Sequence, residues 1–343
     1  MIPKLVAQAY GFDAQTDIRP LGAGHIHKTF LVVSAPSTYV LQRINHFVFR
    51  RPDLIMKNIS LADDYLKKYH PDYTFLSVIR TNVGAAMVYD EEGYPWRLFP
   101  FIDQTVTLEE IHTREQAYEG ARGFGLLTRN LEGCEVALFA PTIERFHDLS
   151  WRYEQFEQAL AQAGEDRKTI ASEAIQQAVH FSYLVDRYHQ LISSGSLVLR
   201  VTHNDTKINN ILFDRETGKA RCVIDLDTLM PGYFIYDLGD MMRTFISPVS
   251  EEEKDLLKIV FRSEMYDALV SGYLEVMGDV LTDAEKTAIP FSGLMMTYIM
   301  ALRFLADYLN GDVYYTIHYE GQNLNRARNQ LRLLQVLSEQ LGQ

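Results

Sequence analysis

The 343-residue sequence predicts an α+β protein in two lobes, a small antiparallel-sheet lobe at the N-terminus and a larger, mainly helical lobe after it. Three observations carry this. Up to about residue 102 the apolar runs are short, rich in β-branched residues and separated by turn residues. Beyond it, apolar positions recur at helical spacing over much longer stretches. The length also exceeds what one hydrophobic core ordinarily serves, so the chain is expected to divide into residues 1–102 and 103–343.

Strands are expected at Thr29–Val33, Thr38–Leu41, Thr74–Ile79 and Ala85–Tyr89, each an apolar run bounded by turn formers. Between them Asp53–Tyr69 has helical periodicity, with Ile55, Ile59, Ala62 and Leu66 on one face. Trp96–Ile102 reads as a last strand running into the lobe connection, near residues 101–105. Helices are expected at Thr113–Asn130, Trp151–Ala163, Ile170–Ser193, Glu251–Met277, Asp283–Leu309 and Asn323–Gln340. No repeat of fixed period and no low-complexity tract interrupts this pattern.

Composition narrows the classes. A hydrophobic share of 47% with 23% charged residues fits a globular enzyme and excludes long disorder. A net charge of −12 excludes a nucleic-acid backbone or an anionic membrane as the main partner, so any nucleotide site must gather its cations locally. Cys134 and Cys222 suit a reducing compartment and suggest no disulfide. The first residues lack the apolar core of a secretory signal, and no run of about 18 consecutive apolar residues is present, so a cytoplasmic location is expected.

The chemistry sits in His203-Asn204-Asp205-Thr206-Lys207-Ile208-Asn209-Asn210, followed by Cys222-Val223-Ile224-Asp225-Leu226-Asp227. The order H-x-D-x-K-x-x-N is that of a phosphoryl-transfer loop, in which the Asp takes the acceptor hydroxyl proton, the Lys meets the transferring phosphate and the Asn holds a metal. Asp205, Lys207 and Asn210 fill these positions. Asp225 follows an apolar strand and is placed to bridge Mg²⁺ to the β- and γ-phosphates. The residues between form one hairpin, with strands in 209–214 and 220–224 about the polar turn Arg215–Lys219, so both ends face one cleft. The alternative is that these polar residues merely cap a hairpin.

On the nucleotide side, Leu21-Gly22-Ala23-Gly24-His25-Ile26-His27 offers glycine-freed amides that can cover phosphates. His25 and His27 suggest a metal pair, but no third ligand is evident and hydrogen-bonding loop histidines are the expected case. A kinase also needs a cation for the α- and β-phosphates on its third strand. Tyr39-Val40-Leu41-Gln42-Arg43 places Gln42 at that position, with Arg43 on the opposite face unless a bulge turns it inward. Lys28 is another candidate, and Asp63 or Asp64 could supply the acidic partner.

These residues resemble the aminoglycoside phosphotransferase and choline kinase family and, more narrowly, the N-acetylhexosamine 1-kinases. The likeness lies in His203–Asp214, Val223–Gly232 and Tyr236-Asp237-Leu238-Gly239-Asp240, and extends to Gly22–Ile26, Tyr39–Asn45 and Phe146-His147-Asp148. It implies a two-lobed protein-kinase-like fold, with Asp205 as base, Lys207 on the phosphate, Asn210 and Asp225 on Mg²⁺, and Asp237 bracing the loop backbone. It further implies transfer from ATP to the anomeric hydroxyl of N-acetylglucosamine or N-acetylgalactosamine, and a role for Arg303 at the acceptor's new phosphate. His147, Asp148 and Arg303 are candidate sugar contacts, and Tyr314, Tyr315, His318 and Tyr319 form an aromatic cluster that can stack on a ring or pack the last helices.

Two other readings stay open. An aminoglycoside- or choline-type kinase takes cationic acceptors, against which Lys207 counts by repulsion. A nucleotide-binding regulatory protein without turnover is favoured only by Gln42.

Overall fold

The computed structural model describes residues 2–22 and 27–342. Helix α1 (Lys4–Tyr10) precedes strands β1 (Asp17–Pro20), β2 (Lys28–Ser34) and β3 (Ser37–Arg43), helix α2 (Pro52–Tyr69), and strands β4 (Val88–Tyr89) and β5 (Pro95–Pro100). These strands form an antiparallel sheet in the order β1-β2-β3-β5-β4. Alternation gives it two unlike faces. Leu41, Trp96 and Leu98 pack with Val32 under α1, whereas Val40 and Phe99 face α2 and the core of the second lobe. Gln42 and Arg97 are paired in register, so both point to that second, inner face.

The second lobe begins with β6 (Thr105–Val106), which pairs with Asp214 and Phe213 rather than with the first sheet. Then come α3 (Arg114–Asn130), α4 (Leu149–Gln162), α5 (Glu165–Ile170), α6 (Ser172–His180) and α7 (Tyr183–Ser193). Strands β7 (Arg200–Thr202), β8 (Ile211–Asp214), β9 (Ala220–Val223) and β10 (Met230–Gly232) carry the predicted hairpin and its flanks. The chain closes with α8 (Phe234–Phe245), α9 (Ser263–Met277), α10 (Asp283–Thr287), α11 (Ile289–Leu309) and α12 (Gln322–Leu341). This is the antiparallel-sheet N-lobe and helical C-lobe that the periodicity predicts.

α11 is the one described helix long and apolar enough to cross a membrane, yet it is buried along nearly its whole length between α8, α12 and α4. Its contact with α8 depends on Gly239, where a Cβ would stand 2.2 Å from the Ser292 carbonyl oxygen. α3 starts where Thr113 accepts from the Gln116 amide and Gln116 reaches back, closing a capping box.

Several expected elements are shorter or broken. Thr74–Ile79 forms no strand beyond a single bridge of Ile79 to Leu98, and Ala85–Tyr89 shortens to Val88–Tyr89. Ile170–Ser193 breaks between α6 and α7 at Phe181 and Ser182. Asp283–Leu309 breaks at Ala288, ahead of Pro290 in the first turn of α11, where a proline is tolerated because it needs no amide donor. Glu251–Arg262 is not an α-helix. There, Asn329 donates to the carbonyls of Ser250 and Glu253, and Arg262 donates to those of Phe245, Ile246 and Ser247. Asn329 thus takes the Glu253 carbonyl inside the segment, while Arg262 ties the segment's end back to the carbonyls at the C-terminal end of α8.

Candidate active site

The loop Thr202–Asn210 is held from below by α8. Asp237, in the first turn of that helix, accepts from the amides of His203 at 3.0 Å and Asn204 at 2.6 Å, and its carbonyl accepts from Thr206 Oγ1 at 2.7 Å. Burial lifts the Asp237 carboxyl to about 6 in spite of those amides. Asn204 adopts φ +65°, a left-handed conformation, and its amide donates to the carbonyls of Thr202 and Thr228, each at 3.0 Å. Gly232 on β10 permits this. A Cβ there would lie 2.2 Å from Thr202 Oγ1 and 2.7 Å from Asn204 Oδ1.

This framework presents Asp205. Its carboxylate is 3.2 Å from Lys207 Nζ through Oδ1 and accepts from Asn210 Nδ2 at 3.2 Å through Oδ2. Burial pushes the Asp205 carboxyl up, but the Lys207 charge, chief among its favourable neighbours, leaves it below the ordinary range and therefore ionised. Lys207 is held above its usual value mainly by Asp205. The Asp205 amide donates to His203 Nδ1 at 3.2 Å, while His203 Nε2 donates to the Ile224 carbonyl at 2.9 Å. The imidazole thereby ties the loop to the strand end that carries Asp225. Asn210 completes the tie, its carbonyl accepting from the Ile224 amide at 2.9 Å.

Asp225 also takes the left-handed conformation, φ +58°, and burial, Asp227 and Asp205 together raise its carboxyl to about 6. Ligand atoms of His27, Asp225 and Asp227 lie within 4.8 Å of one another. His27 is not a free donor. Its Nδ1 accepts from the Asn45 amide at 3.0 Å, so the ring proton is on Nε2 and points to Asp227. Asn210 makes its side-chain bonds through Nδ2, leaving Oδ1 for another role. With His27 engaged, the grouped ligand atoms that remain are the carboxylate oxygens of Asp225 and Asp227, a donor set that suits a hard divalent cation such as Mg²⁺.

Asp227 is buried and binds across the lobes to Arg97 on β5 as well as to His27. Burial raises its carboxyl, and Arg97 and His27 outweigh that, keeping it ionised. Arg97 donates through Nε to Gln42 Oε1 at 3.0 Å. Sequence reasoning gave neither Asp227 nor Arg97 a role. The second Asp of Asp225-Leu226-Asp227 is a visible signal, but the pairing of Arg97 with Gln42 needs the strand register.

The other predicted residues are placed as follows. Gly22 adopts φ +70° between β1 and β2, while Gly24 and His25 lie outside the described residues. Arg43 stacks over the Tyr94 ring at 4.2 Å on the outer face of the sheet, where Lys28 is its register partner, so neither joins the carboxylates. Asp63, on α2, pairs with Lys67 of the same helix and with Ser77 beyond it, and does not join them either. His147 is buried beneath the loop and donates from Nε2 to the Asn204 carbonyl at 2.8 Å. Burial depresses it to about 3, so it is neutral and supports the loop. Asp148 caps α4 by accepting from the Trp151 amide and pairs with Arg145 at 2.7 Å. Arg303 on α11 lies over the rings of Phe146 at 5.3 Å and Tyr315 at 5.5 Å. Its charge, with those of Arg152 and Asp205, acts on His147, placing all of them about one region.

A two-lobed fold with a loop that presents one ionised Asp beside a Lys and an oxygen-only cation cradle defines a phosphotransferase with a hydroxyl acceptor. The chain belongs to the phosphotransferase enzyme family, whose family model matches residues 17–274. Solved structures agree at the level of fold. The amicoumacin kinase hAmiN, in complex with AMP-PNP, Ca²⁺ and Ami, is 16% identical with a TM-score of 0.62, over 96% of this chain and 91% of that one. An aminoglycoside phosphotransferase from Alicyclobacillus acidocaldarius is 13% identical with a TM-score of 0.65, over 100% and 97%. The choline kinase LicA from Streptococcus pneumoniae is 12% identical with a TM-score of 0.52, over 94% of each chain.

Proposed function

We propose that the protein transfers the γ-phosphoryl group of ATP to the anomeric hydroxyl of an N-acetylhexosamine, N-acetylglucosamine or N-acetylgalactosamine, giving the sugar 1-phosphate and ADP. The observation that carries the acceptor class is the charge around Asp205. Arg152 and Arg303 form no ion pair among the described residues, and the acids nearby are engaged, Glu251 by Arg243 and Glu252 by Arg326. The charges of both guanidiniums act on His147 together with that of Asp205, and positive charge in this region disfavours the ammonium groups of an aminoglycoside or choline. The guanidiniums suit a neutral acceptor rich in hydroxyl and amide oxygens.

In this reading Asp205 accepts a hydrogen bond from the acceptor hydroxyl and takes its proton as the new oxygen–phosphorus bond forms and the bond to the β-phosphate oxygen breaks. With its low proton affinity, Asp205 works chiefly by orienting the hydroxyl in line. Lys207 meets the moving phosphoryl group. Asp225, Asp227 and Asn210 would hold Mg²⁺, which would supply neutralisation of the charge on the nucleotide's phosphates. His147 and Asp237 keep the loop from shifting.

The test is ADP release with N-acetylglucosamine against its methyl 1-glycoside, which lacks the anomeric hydroxyl. Turnover with the free sugar alone is expected. Equal turnover with both places the reactive hydroxyl elsewhere on the ring, and turnover only with choline or kanamycin returns the protein to the cationic-acceptor class.

A further inference from the structure

The cation that a kinase sets beside the α- and β-phosphates is missing from its usual place here. Gln42 holds that position on the inner face of β3, and Arg43 and Lys28 are turned to the outer face. One strand over, Arg97 is paired in register with Gln42 and shares its face. Its guanidinium is almost entirely buried, bonded through Nε to Gln42 Oε1 at 3.0 Å and through Nη1 to Asp227 Oδ1. Asp227 in turn has a carboxylate oxygen within 4.8 Å of that of Asp225. The charge therefore stands beside the site that would hold the cation and, through it, the phosphates.

We infer that Arg97 is the phosphate-binding cation of this enzyme, with Gln42 fixing its plane and Asp227 serving as its acidic partner; the inference rests on the nucleotide reading above. The chemistry supports the substitution. A lysine presents a point charge, whereas a guanidinium is a planar fork with five donors, able to bond Gln42, Asp227 and a phosphate oxygen at once. Among the described residues Nη2 has no hydrogen-bond partner, so donors remain for a ligand. The carboxylate partner is also required physically, because a buried guanidinium without one is strongly disfavoured. Gln42 in place of lysine follows from this arrangement. A second cation beside Arg97 would repel it, while the amide oxygen accepts its Nε proton.

A purely structural tie between the lobes is the competing account, and ligands that differ only in phosphates separate the two. ADP and adenosine are titrated calorimetrically into the full chain, wild type and Arg97→Gln. The inference predicts an ADP affinity lower by about 10- to 100-fold in the variant, the span of one charge-assisted hydrogen bond, with adenosine affinity changed less than about threefold. Equal losses for both ligands, or no loss for ADP, would overturn it. Arg97→Lys, which keeps the charge, serves if Arg97→Gln does not fold; it is expected to lose ADP affinity several-fold with adenosine spared, and equal changes for both ligands count against the inference. Gln42→Lys placed on Arg97→Gln is expected to recover much of the ADP affinity. A wild type that binds neither ligand removes the nucleotide reading itself, and this inference with it; a wild type that binds ADP beside an indifferent variant removes this inference alone.

Discussion

Asn210 donates from one amide nitrogen to both the carbonyl oxygen of Asp205, at 2.8 Å, and its carboxylate, at 3.2 Å. The same side chain therefore fixes the base and keeps its amide oxygen out of these bonds, available to the cation that the proposed function places here. Asn210→Ala should remove both effects. We expect kcat to fall by about 10²-fold or more and apparent Mg²⁺ affinity by about 10- to 100-fold, read from initial rates across a Mg²⁺ titration. A loss confined to the acceptor KM would contradict this double role.

Asp205→Asn keeps the volume and both neighbours while removing the proton acceptor. Turnover should drop by about 10²- to 10⁴-fold, with nucleotide affinity close to wild type. Thermal melting monitors the fold, and a variant as active as the parent would remove Asp205 from the chemistry.

Asp225 makes Mg²⁺ binding depend on pH. Its carboxyl is raised to about 6 by burial and by Asp227 and Asp205, so below that pH the cation must displace a proton. Affinity should fall roughly tenfold per pH unit below about pH 6 and level off above about pH 7. Calorimetry in two buffers of different ionisation enthalpy should show proton release at pH 5.5 and little at pH 8. Equal release at both would contradict the shift.

His147 predicts an acid-side loss of stability. The folded protein holds it at about 3, whereas an unfolded histidine titrates near 6.5. Because the folded value is depressed and the neutral form is the one retained, this contribution is complete above about pH 6.5. It is lost progressively as pH falls toward 3, at up to about 1.4 kcal/mol per pH unit. His147→Gln, compared with wild type by melting at pH 7.5 and pH 5, should lose less stability on acidification; parallel losses would refute the assignment.

Gly239→Ala tests the packing that seats α8 under the loop. A methyl group 2.2 Å from the Ser292 carbonyl oxygen forces α8 and α11 apart. A loss of about 1 to 3 kcal/mol is expected, seen as a lower urea midpoint, with kcat reduced because Asp237 rides on the same helix.

What the sequence made legible is what lies close together along it. The loop, the hairpin and Asp225 fall within one stretch whose strand and turn signals are local, and their assembly follows from the hairpin alone. Arg97 and Gln42 are 55 positions apart and meet only because β5 pairs with β3, a register no local pattern specifies. His27 and Asp227 are separated by 200 positions. Glu251–Arg262 misled for a related reason. Its helical spacing is real, but Asn329 and Arg243 claim its Glu253 carbonyl and Glu251 carboxylate, and its own Arg262 bonds back to the end of α8. His147 and Asp148 stood out as polar residues in a matching motif, and only burial and capping separate a loop support and a helix cap from a substrate contact.

The most direct test is phosphorus NMR of the protein with Mg-ATP and, in turn, N-acetylglucosamine, N-acetylgalactosamine, galactose, choline and kanamycin. The account predicts a new sugar 1-phosphate doublet with the N-acetylhexosamines, growing as ATP is converted to ADP and absent with Asp205→Asn. Phosphorylated choline or kanamycin with unreacted sugars, or an unchanged ATP spectrum throughout, would contradict it.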